Sequence, residues 1–238
     1  MTAQALNQTD RRKILIRGFT VAMLLTAMMS VTLFASAGTL AWMQAWIFIG
    51  LFVVYFALWV WWGLRYSPEL IMERGQALQK RDSKQWDQIL VRVNLLLSII
   101  TYVVAGLDAA RYGWTLIPAP YQVVGLAFIL FGYIFPFWAL SNNPFASGTV
   151  RIQTERGHTV STGGPYRFVR HPMYVGAIVA DIGIPLFLGS YWALIPGALM
   201  AALFIYRTWR EDVTLQEELP GYKEYAQKVR YRLLPGVW

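Results

Sequence analysis

The chain has 238 residues, of which 56% are hydrophobic and 16% aromatic, and its mean hydropathy is +0.41. This composition is too apolar for a soluble domain of this size and predicts an integral membrane protein. The net charge of +8 would suit nucleic acid, but the cations lie beside apolar runs, where they determine topology and bind anionic lipids. Nucleic acid is therefore excluded as a partner, and the absence of cysteine excludes disulfides and thiolate metal sites.

The first 140 residues predict four transmembrane helices. No charged residue lies between Arg17 and Arg65, which leaves room for two spans of about 20 residues each, with a turn near 36–39. The first span follows basic residues, as a signal peptide does, but it is longer than a cleavable core of about 7–15 residues. We therefore expect a retained helix. Two further apolar runs cover 93–107 and 121–140.

A polar loop follows the fourth span. The helix must end near Asn143, because Pro144 disfavours helical backbone angles in the residue before it. Beyond it, 150–153 predicts a short extended segment and 163–165, with two glycines and a proline, predicts a turn. Such a loop can fold back over the ends of the helices.

The apolar run 172–206 is too long for one span and predicts a tight helical hairpin that turns near Gly189 and Ser190. A C-terminal cytoplasmic helix is expected from Arg207 onward. The predicted fold is thus all-α and polytopic, with six membrane-crossing segments in a single domain over 1–238.

The basic residues predict the orientation of these six crossings. Any two of the segments named below are separated by an even number of crossings, so all four lie on the same side of the membrane. They contain 20 of the 21 Lys and Arg residues, and Arg111 is the exception. Those segments are 1–17, 65–92, 141–171 and 207–238. The positive-inside rule then places both termini in the cytoplasm. The absence of an organelle signal and the compact loops favour a bacterial inner membrane, and an endoplasmic-reticulum location is also compatible with the sequence.

Metal and hydrolase chemistry lack the necessary residues. His158 and His171 are the two histidines, they lie 13 residues apart, and no carboxylate cluster accompanies them. A Gly-x-Ser-x-Gly nucleophile motif is also missing. The sequence therefore predicts no metal and a binding loop rather than a nucleophile with its base.

The segment 163–174 is where we expect the active site, because it combines glycines, cations, aromatics and a histidine between apolar runs. Pro172 stands at the first position of the fifth helix, whose free amide groups favour a carboxylate or a phosphate. Further along, Arg207 and Glu211 share a helical face. That face is either part of the site or an interfacial surface with snorkelling cations.

The loop and the C-terminal arm share a set of ordered motifs. In chain order they are Gln153-x-Glu155-Arg156, His158-Thr159-Val160-Ser161, Gly164-Pro165-Tyr166, Arg170-His171-Pro172-Met173-Tyr174, Arg207-x-x-x-Glu211-Asp212 and Gly221-Tyr222-x-x-Tyr225. The combination, over about residues 149–235, resembles the isoprenylcysteine carboxyl methyltransferase family within the broader membrane phospholipid and isoprenylcysteine methyltransferase superfamily.

This resemblance implies an S-adenosylmethionine pocket on the cytoplasmic side, below a tunnel through which a lipophilic substrate enters from the bilayer. It implies that the pocket is lined by Gln153, His158, Thr159, Val160, Ser161, Tyr166, His171, Pro172, Met173 and Tyr174. Glu211 would hold the cofactor, and Arg207 would be the catalytic residue that aligns the acceptor carboxylate.

The acceptor is less defined, because the first 148 residues carry no specific motif. An isoprenylcysteine carboxylate is the first choice, and phospholipids, phenols, small thiols and amines stay open. Asp181 lies about 14 Å beyond Pro172 along the helix, near the bilayer middle. We expect it to face the interior, where it either contacts substrate or is structural.

Two other functions are compatible with the sequence. Some NADPH-dependent membrane reductases of sterols and other lipids resemble this architecture and share a segment like Arg170-His171-Pro172. A non-catalytic scaffold is the third option, and it predicts tolerance of alanine at His171, Arg207 and Glu211. The Arg207-x-x-x-Glu211 arrangement favours the methyltransferase.

Overall fold

The computed structural model describes residues 8–76 and 82–238, and it describes the side chains from residue 18 onward together with that of Ile16. Over these residues the protein is helical and contains no β-strand. The α-helices are α1 Gln8–Ala37, α2 Met43–Tyr66, α3 Pro68–Gln76, α4 Gln85–Ala105, α5 Ala119–Ser141, α6 Pro172–Leu188, α7 Leu194–Glu218 and α8 Tyr222–Lys228.

Four of these helices are long and apolar enough to cross a membrane, which confirms four long apolar helices in the first 140 residues. They cover Gly18–Ala37, Met43–Tyr66, Gln85–Tyr112 and Ala119–Ser141. The third span is longer than predicted, because α4 begins with a polar turn at Gln85 and continues as a π-helix over Gly106–Tyr112. Large apolar side chains such as Val54, Leu96 and Ile134 are exposed on these helices, as lipid-facing residues are.

Helices α5, α6 and α7 form the packed half of the molecule. A Cβ atom added at Gly132 of α5 would lie 2.5 Å from the Cβ of Ala180 in α6, so the two backbones approach closely. The chain turns at Gly189 after α6, as the sequence predicts, and α7 follows from Leu194. No separate C-terminal helix begins at Arg207. Helix α7 continues through that position to Glu218, because nothing from 194 to 218 interrupts helical hydrogen bonding.

Asp108 joins the turns at one end of the bundle and is fully buried. Its carboxylate accepts hydrogen bonds from the Thr115 backbone N–H at 2.8 Å and hydroxyl at 2.6 Å, and from the Ser190 hydroxyl at 2.6 Å. The turn between α4 and α5 therefore lies against the turn between α6 and α7. Gly38, at the end of α1, lies beside Arg111 at this same end.

Arg151 organises the loop at the opposite end. Its guanidinium is buried and binds Glu73 of α3 at 2.9 Å, Asp82 and Glu155. The extended segment predicted at 150–153 forms no strand, because these side-chain contacts hold it against α3 and α4 instead of against another strand. Helix α3 itself was not predicted.

Candidate active site

A cavity opens between the loop after α5, the first turn of α6, the C-terminal half of α7 and α8. Its volume, including the space at the mouth that is open to solvent, is about 750 Å³. Ten of the predicted site residues line it, namely His158, Thr159, Val160, Ser161, Tyr166, His171, Met173, Tyr174, Arg207 and Glu211. Residues that lie about 50 positions apart along the chain, such as His158 and Glu211, thus line the same cavity.

His158 stacks on Phe145 at one side of the cavity, with ring centroids 4.6 Å apart. Burial lowers the pKa of His158 to about 4, and the positive charges of Arg156 and Arg151 act in the same direction. Its Nδ1 accepts a hydrogen bond from the Gln153 backbone N–H at 3.3 Å. The imidazole is therefore neutral at physiological pH and presents an apolar, stacking surface.

The predicted turn at 163–165 places Tyr166. Gly164 adopts a positive φ of 54°, and a Cβ there would lie 2.5 Å from the Asn142 side chain, so only glycine fits. The Tyr166 hydroxyl accepts a hydrogen bond from Asn143 at 3.1 Å, and its backbone carbonyl accepts one from Tyr225. Burial raises the pKa of Tyr166. The phenol is thus fixed and neutral.

Asp212 connects the elements that surround the cavity. It is fully buried and accepts two hydrogen bonds from Arg170, at 2.7 and 3.0 Å, and one from Tyr222 of α8 at 3.0 Å. His171 Nε2 lies 3.2 Å from the same carboxylate, and Arg232 binds it at 2.9 Å. Burial alone would raise the pKa of Asp212, but hydrogen bonds from His171 and Arg170 hold it well below its usual range.

Tyr174 and Glu211 meet at the cavity wall, where the Tyr174 hydroxyl donates a hydrogen bond to the Glu211 carboxylate. The Tyr174 ring lies parallel to that of His171, at 5.9 Å between centroids. Arg207 lies over the same Tyr174 ring, with its Cζ 5.3 Å from the ring centroid. A carboxylate and an aromatic face are thus presented together, which suits a ligand carrying hydroxyl or amino groups and a cation.

Arg207 lies in the cavity wall, but its charge is already compensated. Asp87, fully buried in the first turn of α4, accepts hydrogen bonds from Arg207 Nε at 2.6 Å and Nη2 at 2.9 Å. The Gly148 carbonyl accepts another from Nη2. Nη1 is the nitrogen without a hydrogen bond in the described part of the chain. The guanidinium is therefore not a free two-pronged clamp.

Three predicted site residues do not line the cavity. Gln153 is fully buried behind its wall, where its amide donates to the Phe145 carbonyl at 2.6 Å and its carbonyl binds Arg156. Pro172 is the first residue of α6, as predicted, and supports the backbone of the wall. Asp181 faces the interior, as predicted, and is 7% exposed, but it lies deeper along α6.

Asp87 was missed by the sequence reasoning. The sequence does contain a feature that points to it, since Asp87 is an acidic residue in the first turn of an amphipathic helix, next to an apolar span. Nothing in the sequence, however, couples it to a residue 120 positions away. The motifs contain both Arg170 and Asp212, but the sequence does not pair these two residues.

Comparison with known proteins confirms the resemblance. The model of the isoprenylcysteine carboxyl methyltransferase (ICMT) family matches residues 124–217, which include the loop, α6 and the part of α7 that carries Arg207 and Glu211. The match comprises less than half of the chain.

Curated relatives fall into two groups. A Schizosaccharomyces pombe protein-S-isoprenylcysteine O-methyltransferase is 26% identical over 116 residues, which are 46% of this chain and 48% of that protein. A Delta(14)-sterol reductase of Mus musculus is 28% identical over 100 residues, 41% of this chain and 24% of the reductase. Another, of Gibberella zeae, is 27% identical over 134 residues, 41% of this chain and 28% of the reductase. The chain thus spans about half the length of the methyltransferase and about a quarter of each reductase.

Proposed function

We propose that this integral membrane protein is an S-adenosylmethionine-dependent methyltransferase that acts on a lipophilic acceptor, with a carboxylate of the isoprenylcysteine type as the first choice. The observation that carries this proposal is the cavity in which the 158–161 segment, Tyr174 and Glu211 converge. The family match over 124–217 supports it, since that segment forms most of the cavity wall.

The residues of the cavity fit the proposed cofactor. Glu211 offers carboxylate oxygens to hydroxyl or amino groups, and the 158–161 segment lines the same cavity. Tyr166 and Tyr174 offer aromatic faces, which attract an adenine ring or a sulfonium. When bound, S-adenosylmethionine supplies an electrophilic methyl group on a positively charged sulfur.

Methyl transfer to a carboxylate requires mainly that the protein align the acceptor with the methyl group. A carboxylate acceptor is anionic near neutral pH, so no general base is required. Arg207 Nη1, which has no hydrogen-bond partner among the described residues, can donate to the acceptor, while Asp87 fixes the orientation of the guanidinium. Such alignment contributes several kcal/mol to methyl transfer. The stacked His171 and Tyr174 rings hold the wall that the cofactor would contact.

An apolar cluster adjoins the cavity. Met173 lines the cavity and packs in a cluster with Trp59 and Trp62 of α2, together with buried Leu140 and Ala146. We infer that the tail of the acceptor lies along this cluster.

Binding experiments test the proposal. Detergent-purified protein should bind S-adenosylmethionine and S-adenosylhomocysteine in calorimetry. Glu211→Gln should weaken both by about tenfold or more, because a hydrogen bond to a charged group contributes about 1.5–3 kcal/mol. Glu218→Gln is the matched control, since Glu218 pairs with Lys84 at the surface. Absence of saturable binding to the unmodified protein would reject the cofactor.

A second candidate is an NADPH-dependent sterol or lipid reductase, which the two sterol reductase relatives favour. Tyr174 is a possible proton donor for hydride chemistry, and its hydroxyl is already directed at Glu211. The same calorimetry distinguishes the two functions. NADPH binding without S-adenosylhomocysteine binding would establish the reductase, and binding of none of them would favour a scaffold.

We also propose six crossings with both termini in the cytoplasm of a bacterial inner membrane. The distribution of basic residues supports this topology, as does the grouping of the α4–α5 and α6–α7 turns at one end. The chain has no cysteine, so single cysteines report sidedness directly. Leu116→Cys should react with an impermeant maleimide in intact cells, whereas Lys223→Cys should react after lysis. The reverse pattern would overturn the orientation.

Asp181 remains a proposed contact for a polar part of the acceptor. Its Oδ2 atom is buried and has no hydrogen-bond partner in the described residues. Asp181→Asn should therefore lower turnover while leaving S-adenosylhomocysteine affinity unchanged. Full turnover with every acceptor would assign the residue to structure alone.

A further inference from the structure

We propose that Arg74 of α3, together with the Trp59 indole, forms an oxyanion site that recognises the negatively charged head of the lipophilic acceptor. This inference rests on the proposed methyltransferase function and names the class of its substrate. Arg74 lies outside the segment that matches the family, so the assignment comes from this structure.

Charge pairing around the cavity distinguishes Arg74 from its neighbours. Arg151 is paired with Glu73, Arg170 with Asp212 and Arg207 with Asp87. Arg74 has no carboxylate within ion-pair distance in the described residues. Its Nη1 donates to the carbonyls of Ala146 at 3.2 Å and Ser147 at 3.3 Å, and its Nε and Nη2 have no hydrogen-bond partner there.

Arg74 adjoins the cavity. Ala146 and Ser147, whose carbonyls it binds, are both lining residues. The guanidinium also lies within electrostatic range of Arg207, Tyr174 and Tyr166. Burial lowers the pKa of Arg74, and the positive charge of Arg207 lowers it further. An anion bound here would stabilise the charged form of Arg74 against both burial and the repulsion from Arg207. A buried cation without a counter-charge is therefore suited to binding an anionic ligand.

Trp59 supplies a second donor without a partner. Its Nε1 atom is buried and makes no hydrogen bond with any described residue. The Cζ atom of Arg74 lies 6.0 Å from the centroid of its ring. Guanidinium and indole N–H groups are donors only, so the ligand they share must present acceptors. The remaining Nε and Nη2 fork of Arg74 matches the two oxygens of a carboxylate or phosphate.

The surroundings of Trp59 define the rest of the ligand. Trp59 packs with Trp62 and Met173 in an apolar cluster, and Met173 continues into the cavity. An oxyanion bound by Arg74 would therefore have apolar surface on its membrane side and the proposed cofactor pocket on the other. This arrangement selects acceptors with an acidic head on an apolar tail over neutral phenols and amines. Arg207, neutralised by Asp87, aligns the acceptor, and Arg74 supplies the net positive charge.

Binding of a matched pair of probes tests the inference in the full-length protein in detergent with S-adenosylhomocysteine present. The probes are N-acetyl-S-farnesylcysteine and its carboxamide, which share the same tail and differ in the terminal group, an anionic carboxylate in one and a neutral amide in the other. The unmodified protein should prefer the carboxylate by about tenfold or more. Arg74→Gln should abolish this preference and leave carboxamide affinity unchanged, and Arg74→Lys should restore part of it. Arg65→Gln, an exposed arginine on the last turn of α2, is the control and should behave as the unmodified protein does.

The outcomes separate this inference from the proposed function. A preference for the acidic probe that survives Arg74→Gln in both the cysteine pair and the lipid pair described below overturns the oxyanion site, even where S-adenosylhomocysteine binds. If the unmodified protein does not bind S-adenosylhomocysteine, the methyltransferase function is rejected, while the carboxylate preference still tests the role of Arg74.

If Arg74→Gln does not fold, Trp59→Phe provides the test, since it removes the N–H donor and keeps the ring, and it should weaken carboxylate binding severalfold. Phosphatidic acid compared with diacylglycerol distinguishes a lipid phosphate from a carboxylate as the source of the oxyanion. Dependence of either pair on Arg74 supports the site, and independence of both overturns it.

Discussion

Arg207 of α7 and Asp87 of α4 are joined by two parallel hydrogen bonds, of 2.6 and 2.9 Å, although 120 residues separate them along the chain. The second oxygen of Asp87 also accepts the Val150 backbone N–H at 2.7 Å. One carboxylate thereby ties the loop after α5, the polar start of α4 and the site-bearing part of α7. The orientation of the cavity wall depends on this pair.

Asp87→Asn should destabilise the fold by about 3–5 kcal/mol, because it leaves the Arg207 charge uncompensated in a buried position. Unfolding in detergent, followed by the fluorescence of the 11 tryptophans, measures this change. Asp82→Asn is the control, since the Asp82 side chain is 52% exposed where it pairs with Arg151. Equal effects of the two variants would contradict the role of Asp87.

Acid should weaken the structure through Asp212. Because the pKa of Asp212 is held below that of an unfolded chain, its ion pairs contribute full stability above about pH 4 and lose it as the pH falls further. The unfolding temperature of the unmodified protein should therefore drop between pH 6 and pH 3. The Asp212→Asn variant should have a lower unfolding temperature than the unmodified protein at pH 6, and its unfolding temperature should change less with pH. Parallel curves would show that another group governs the acid response.

His158 should remain neutral well below neutrality, since burial lowers its pKa to about 4. An unfolded histidine binds a proton near pH 6.5, so stability from His158 is complete above that pH and declines from about pH 6.5 to about pH 4. Histidine Cε1 resonances report protonation, and His158→Gln assigns the two signals of this chain. We expect no protonation shift of His158 above pH 5. A midpoint near 6.5 would contradict its buried, stacked position.

Gly132→Ala should disrupt the contact of α5 with α6. The new Cβ would lie 2.5 Å from the Cβ of Ala180 and 2.8 Å from the Gly176 carbonyl oxygen, so a backbone must move. Overpacking of this kind costs about 1–3 kcal/mol. Gly50→Ala on α2 is the control, because no atom of the described residues lies within 4 Å of its Cβ position and helix propensity favours alanine. Similar unfolding temperatures for the two variants would contradict close packing at Gly132.

Local properties of the sequence determined the helical architecture. Apolar runs without charge predicted the four long helices, because a span needs only length and hydrophobicity. Glycine and proline predicted the turn at Gly189 and the start of α6 at Pro172, since both residues act on their own backbone. The motif residues from His158 to Tyr174, with Glu211, identified nearly half of the residues that line the cavity.

Tertiary structure alone decided how those side chains are used. Gln153 belongs to the motif yet lies behind the wall, because Phe145 and Arg156 satisfy its amide there. Arg207 reaches the cavity already neutralised by Asp87, whereas Arg74, on a helix the sequence did not predict, approaches it without a described carboxylate partner. The charge available at a site is a sum over residues that folding brings together from distant positions. Sequence spacing predicts which residues share a helix face, and only packing determines which charges cancel.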